Sequence, residues 1–365
     1  MSASIGNLKD LLAAAKATGD RPHRLFLVFD QCRVLVETNS RELADRLKAY
    51  YADFLGREGG ADITVKAVET PALVLDLSYT ATALAPGKTP KEEYADLRDA
   101  RVVHKVRTGM VFAFGGGENY ALGPCLANDP QVVNFINNRH IELVLKQGAL
   151  LFHAAAVARK GKGLALVGFS GAGKSTLALQ ILTRGMDFVS NDRLMVSRRQ
   201  GELRMAGVAK MPRVNPGTVL NNPSLKPVMD QADWERFSRL SPAELWDLEH
   251  KYDASIDACF GPGRFKLTAG MAGLVVLNWK REAVPMRAAA VSLRERRDLL
   301  EAFMKSPGLF YALDDPAAIP EVSSEVSGDA YLALLDGCPV LEVTGGVDFD
   351  RAADAALDFF DRCGG

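Results

Sequence analysis

The stretch Gly168-Phe-Ser170-Gly171-Ala172-Gly173-Lys174-Ser175, followed by Thr176, carries the plainest chemistry in the chain, because it satisfies G-x-x-x-x-G-K-[ST]. A loop that wraps an anion needs backbone N–H groups turned inward and conformations with φ > 0 that only glycine adopts cheaply. Gly168, Gly171 and Gly173 supply that freedom, and Ser170, Ala172 and Thr176 complete the expected nucleotide-binding set. Lys174 would open a helix and reach the β- and γ-phosphates as a point charge, while the free N–H groups and positive dipole end of that helix face the same oxygens. Ser175 then offers a hydroxyl to Mg²⁺. The chemistry is that of a nucleoside triphosphate cradle, with ATP and Mg²⁺ as the expected ligands. The alternative is a glycine-rich strand-to-helix turn that happens to carry a lysine.

The elements around the loop suit that use. An apolar strand is expected at 164–167 before it and a helix over 174–183 after it. Arg184-Gly185 ends the helix, and a short strand at 187–190 runs into Asn191-Asp192-Arg193, so the acidic residue stands only 18 positions beyond Lys174. Most proteins with such a loop deliver their magnesium-associated aspartate from a strand much further along. A strand at 149–152 leads to His153, from which a second strand and a basic turn lead into the loop strand.

These residues resemble the HPr kinase/phosphorylase family, its HPr-kinase-related branch above all, and more distantly the nucleotide module of phosphoenolpyruvate carboxykinase. The likeness rests on His153 placed 21 residues before Lys174, on the G-F-S-G-A-G-K-S-T loop, and on N-D-R where the family has D-D-R. A weaker feature is Ile256-Asp-Ala-Cys-Phe260-Gly261-Pro-Gly263-Arg264 followed by a strand at 273–279, similar to the family's F-G-x-G stretch. The likeness covers about residues 150–279, and the amino-terminal portion does not match the regulatory domain of the bacterial HPr kinases. The resemblance implies an α/β fold with a P-loop kinase core of the HPr kinase/PEP carboxykinase type, here preceded by a small α+β domain.

It also implies roles. Asp192 matches the family's metal-associated aspartate and would share Mg²⁺ with Ser175, the alternative being a strand-end residue that caps a turn. Asn191 stands where the family's catalytic base belongs, and an amide does not accept a proton near neutral pH. His153 would donate to a transferring phosphoryl oxygen or help the base; otherwise it is a buried strand histidine bonded to a carbonyl. Arg264 and Lys266 are candidates for neutralising the transferred phosphoryl group, with surface charge as the alternative. Lys210, Arg213 and Asn215, in a segment stiffened by Pro212, Pro216 and Gly217, would hold an anionic acceptor or the triphosphate, or else form a rigid surface turn.

At 365 residues, 48% hydrophobic and 24% charged, the chain has the composition of a globular protein long enough for two domains. A net charge of −1 gives no basic field for nucleic acid or an anionic membrane, so neither is an expected partner. Five cysteines with no C-x-x-C argue against a disulfide framework or zinc, and the start lacks a basic segment followed by an apolar one, which points to the cytoplasm. A homo-oligomer is compatible with all of this.

In chain order, helices are expected over 7–18 and 41–54, and strands at 24–30, 32–37, 63–68, 72–77, 102–107, 110–114 and 119–122. Residues 85–90 read as an exposed loop, 91–101 as a solvated charged face, and Gly115-Gly116-Gly117 as a turn. A helix opening at Asn128-Asp129-Pro130 and running to 146 marks the junction, giving domains 1–127 and 128–365. Further on, 231–252 is helical, a lid or docking pair or ordinary packing, and helices follow over 293–305, 329–335 and 349–362, with a Pro-rich loop at 306–320 and a strand at 339–343. Two functions fit: an ATP-dependent kinase acting on a hydroxyl of a partner protein or small molecule, and a nucleotide-binding switch or scaffold with little transfer. A transport-type ATPase does not fit, since no L-S-G-G-Q-like signature follows the loop.

Overall fold

In the computed structural model, residues 5–81, 90–248, 250–311 and 327–364 are described. The expected loops at 85–90 and 306–320 lie largely outside them. The chain divides into two compact units, Met1–Leu143 with Pro307–Ser324, and Val144–Ser306 with Glu325–Gly365. The division falls within the helix expected to follow the junction rather than ahead of it, and nothing in the sequence assigns 307–324 to the amino-terminal unit.

The amino-terminal unit is built on an eight-stranded mixed sheet. Helix α1 (Leu8–Ala14) precedes β1 (His23–Phe29) and β2 (Cys32–Thr38); α2 (Arg41–Tyr50), β3 (Ile63–Glu69), β4 (Thr80–Ala81), β5 (Glu93–Asp96), β6 (Arg101–Lys105), β7 (Met110–Gly115), β8 (Glu118–Gly123) and α3 (Asp129–Lys146) follow. Asn7 and Ser40 cap α1 and α2 through their side chains, as their types suggest. The sheet order is β1-β2-β3-β8-β7-β6-β5-β4, parallel at β2/β3 and β3/β8 and antiparallel elsewhere. Leu8 and Leu11 of α1 cover Val68, Val102, Val111 and Leu122.

Two expectations for this unit are corrected. Residues 72–77 form no strand: Leu73, Leu75 and Leu77 pack against the core under α1 while Val74 is exposed, so their alternation is satisfied by lying on a sheet rather than joining a ladder. The charged run 91–101 contains β5, whose carboxylates find partners on β6, with His104 Nδ1 at 2.8 Å from Glu93 and Arg101 Nε at 2.7 Å from Asp96.

The second unit carries the glycine-rich loop. Its elements are β9 (Leu150–Phe152), β10 (Ala154–Arg159), β11 (Lys162–Gly168), α4 (Lys174–Leu182), β12 (Asp187–Ser190), β13 (Leu194–Arg199), β14 (Glu202–Ala206), β15 (Arg213–Val214), α5 (Pro216–Leu220), α6 (Gln231–Phe237), α7 (Pro242–Asp247), β16 (Tyr252–Asp253), α8 (Ile256–Phe260), β17 (Thr268–Leu277), β18 (Arg287–Ala290), α9 (Gly328–Leu334), β19 (Val340–Thr344) and α10 (Phe349–Arg362). The β13/β14 hairpin was not legible in a stretch that carries Arg198, Arg199, Glu202 and Arg204. The helix expected over 293–305 is instead a short 3₁₀ helix, Arg297–Ala302.

Strands β9 and β10 are one strand interrupted at His153. The hydrogen-bonded path β10-β11-β17-β14-β13-β9 therefore returns to where it began, while β12 lies on β10 and β19 runs parallel to the far half of β17. Helix α4 lies over β10 and β11 and is tied to α10, Arg184 meeting Asp350 at 2.8 Å and Asp354 at 3.1 Å. Among the described residues no helix is long and apolar enough to cross a membrane.

One buried group makes the stability of the amino-terminal unit depend on pH. His140 on α3 is 3% exposed, sits 5.2 Å from the Phe29 ring, and burial pushes its pKa down to about 4 from 6.5. The unfolded chain binds this proton below pH 6.5 and the folded chain does not until about 4, so stability present above 6.5 is lost as pH falls through that window. Thermal melts between pH 7 and 4 should show a loss approaching roughly 3 kcal/mol that His140→Phe largely removes.

Candidate functional site

The loop between β11 and α4 is shaped by two different demands for glycine. Gly171 and Gly173 take φ of +78° and +84°, as a chain that turns its amides inward requires. Gly168 does not have a positive φ: a Cβ there would lie 2.7 Å from the Leu277 carbonyl oxygen, so its glycine is needed for the close approach of β17. That corrects the conformational reason expected for it. Lys174 is 7% exposed and folds back into the loop, its ammonium donating to the Gly168 carbonyl at 2.8 Å and the Phe169 carbonyl at 3.4 Å. Trp279 Nε1 donates to the Ala172 carbonyl at 2.9 Å, and the Phe349 ring lies against Gly173. Ser170 is exposed, Ser175 sits in the first turn of α4, and the Thr176 and Thr218 hydroxyls are 2.9 Å apart.

Beside the loop, the sheet opens. Phe152 pairs with Leu194 and Ala156 with Ser190 in one antiparallel register, so 153–155 and 191–193 face each other where the ladder is interrupted. His153 Nε2 is 3.2 Å from Asp192 Oδ1, and Asp192 Oδ2 has Lys305 Nζ at 3.6 Å and Arg193 Nε at 3.7 Å. The bond from His153 holds the Asp192 carboxyl well below the usual range, some loss of hydration opposes it, and Lys305 and Arg193 add to the lowering. Burial brings Lys174 down to about 8, with Asp192 pulling it up and Lys305 pushing it further down. Burial likewise lowers Lys210 and Lys305, each lowered further by Arg193.

One carboxylate thus stands among Lys174, Arg193, Lys210 and Lys305, a local excess of positive charge suited to a polyanion. The donor set fits Mg²⁺ only in company: Asp192 and Ser175 are hard oxygen ligands, and the rest of an octahedral shell would come from phosphate oxygens and water. Among the described residues no group of three or more His, Cys, Asp or Glu could hold a metal by itself.

Other residues singled out in the sequence lie apart or serve as structure. Arg264 is not brought to the loop: its Nε is 2.6 Å from Asp187, and its guanidinium also bonds the Met186 and Leu182 carbonyls, at the end of α4 about 12 Å along the axis from Lys174. Lys266 is exposed, turned outward between buried Phe265 and Leu267. Arg213 meets Asp253 at 3.5 Å across the β15/β16 ribbon, and the Asn215 carbonyl accepts from Thr218 and Val219, setting Thr218 against Thr176. The Asn191 side-chain oxygen is buried without a hydrogen-bond partner among the described residues.

Sequence reasoning missed Lys305 altogether and left Arg193 without a role. The second was visible in the N-D-R triplet; nothing near Lys305 signals it.

No family model matches the chain, and no curated protein matches it. Among solved structures it is similar to the Hpr(Ser) kinase/phosphatase from Coxiella burnetii at 14% identity, over 58% of this chain and 88% of that one, with a TM-score of 0.28. A likeness that slight bears on neither fold nor function.

Two measurements follow from the geometry. ADP gains no charge above neutrality, whereas Lys174 loses its proton through about 8, so metal-free ADP affinity should fall roughly tenfold from pH 7 to 9 and lose that dependence in Lys174→Ala, read by calorimetric titration. Arg264→Ala should lower the melting point, by about 1–3 kcal/mol of stability from its lost bonds, and leave ADP affinity unchanged.

Proposed function

We propose that the carboxy-terminal unit binds ATP with Mg²⁺ at the loop Gly168–Ser175 and transfers the γ-phosphoryl group to a hydroxyl, on a partner protein or a small molecule. The observation that carries this is the meeting, at one place, of a buried loop lysine with a His153–Asp192 pair ringed by cations. Phosphoryl transfer asks for that combination: charge to hold and neutralise the phosphates, and a base for the attacking hydroxyl. The resemblance in sequence to HPr-kinase-related proteins points the same way.

The roles follow from the atoms. Backbone amides of the loop, the start of α4 and Lys174 hold the phosphates. Asp192 and Ser175 would hold Mg²⁺, which supplies charge neutralisation at the β- and γ-oxygens. In this reading His153, whose Nε2 is 3.2 Å from Asp192 Oδ1, donates from Nε2, keeps the lone pair on Nδ1 and takes the proton of the acceptor hydroxyl there. As that oxygen bonds to the γ-phosphorus, the bond from phosphorus to the β–γ bridging oxygen breaks, and ADP leaves with the electron pair. This gives His153 the part that Asn191 cannot play.

A nucleotide-binding switch or scaffold is the second candidate, favoured by Asn191, since an amide there does not accept a proton near neutral pH. Purified protein incubated with γ-labelled ATP, Mg²⁺ and a lysate of its source should label a protein or metabolite if it is a kinase. Absence of label alongside measurable ATP binding would favour the switch. With an acceptor in hand, His153→Ala should lower kcat by about 10²-fold, and Asn191→Asp should leave it equal or faster by restoring a carboxylate, an effect blunted by repulsion from Asp192.

A further inference from the structure

Lys305 comes from a segment remote in sequence from the loop, and yet its ammonium stands 3.6 Å from Asp192 Oδ2. Its backbone is held firmly. Met304 bridges to Phe152, the Phe303 carbonyl accepts from His153 N at 2.8 Å, and the Lys305 amide donates to the Tyr331 hydroxyl, which itself bonds the Leu151 carbonyl. Phe303 stacks on Phe152 at 5.1 Å, with Tyr331 at 5.0 Å from the same ring. The strand that presents His153 therefore presents Lys305 as well, from its other edge.

The position of the charge says what it would meet. Lys174 occupies the loop and Asp192 the open ladder beside it, and Lys305 is close enough to both to be felt by each. If Asp192 shares Mg²⁺ with a triphosphate whose inner phosphates lie in the loop, the outer phosphoryl comes to the Asp192 side, where the Lys305 ammonium stands. Arg264, the residue the sequence suggests for that duty, is occupied at the far end of α4.

We propose that Lys305 is a substrate-binding residue for the terminal phosphoryl of a nucleoside triphosphate, contacting the γ-phosphate and not the α- or β-phosphates. The proposal rests on the function proposed above. In binding, Lys305 exchanges its contact with Asp192 for one with a γ-oxygen, which leaves Asp192 free for Mg²⁺. Discrimination between tri- and diphosphate would thus lie outside the loop.

The test compares Mg²⁺–ADP with the Mg²⁺ complex of an ATP analogue whose β–γ bridge is NH, by calorimetric titration of the full chain. Lys305→Gln should weaken the analogue tenfold or more and change ADP by less than twofold, while Lys305→Arg keeps most of the preference. Equal losses for both ligands, or no loss for either, would overturn the assignment to Lys305. If the unmutated protein binds neither ligand, the nucleotide site itself is wrong, which is a separate result. As a measurement needing no variant, acylation of Lys305, read by peptide mass, should be slowed by the analogue and not by ADP; equal protection by both would also overturn it.

Discussion

The arrangement depends on one interruption in one ladder. Between the Phe152–Leu194 pair and the Ala156–Ser190 pair the two chains keep their register but give up regular pairing, and His153 and Asp192 occupy the gap. A continuous ladder would have sent alternate side chains to fixed faces and left none of these groups pointing at each other. The opening lies beside the loop because β10 pairs directly with β11, the strand that ends at Gly168.

Electrostatics then turns the gap into something more than a defect. A partly buried cluster with one carboxylate and several cations is unfavourable by itself, since each cation disfavours the others' charged forms. Burial is the first cause of the lowered pKa values of Lys174, Lys210 and Lys305, and the neighbouring cations add to it while Asp192 opposes it. Groups held against their electrostatic preference mark places where a counter-charge is expected, which is why the site reads as one for a polyanion.

What could be read from the sequence was whatever is local. The loop, the strand before it, the helix after it and the helix at 349–362 are spelled by spacing over a few residues, and the structure has them near the expected places. The joint strand–His153–strand run and the short route to Asp192 were legible for the same reason. What was not legible depended on partners: residues 72–77 alternate like a strand but lack a ladder to join, and β13 and β14 are strands because β9 and β17 pair with them despite a charged composition. Lys305 and Arg264 make the point for the site. Both are cations near turns, and only the register of β9 and the end of α4 decide that one reaches Asp192 and the other Asp187.

The supports of the loop have a consequence for how the protein is made. Trp279, which bonds the Ala172 carbonyl, is 107 residues further along, and Phe349, which lies against Gly173, opens the last helix. On the ribosome the chain appears from its amino terminus, so the loop is synthesised long before either of the side chains that brace it. The glycines and lysine of the loop have only their local preferences to hold them until then. If the loop holds a nucleotide as proposed, its capture by a nascent chain should accordingly begin only once α10 has emerged and docked.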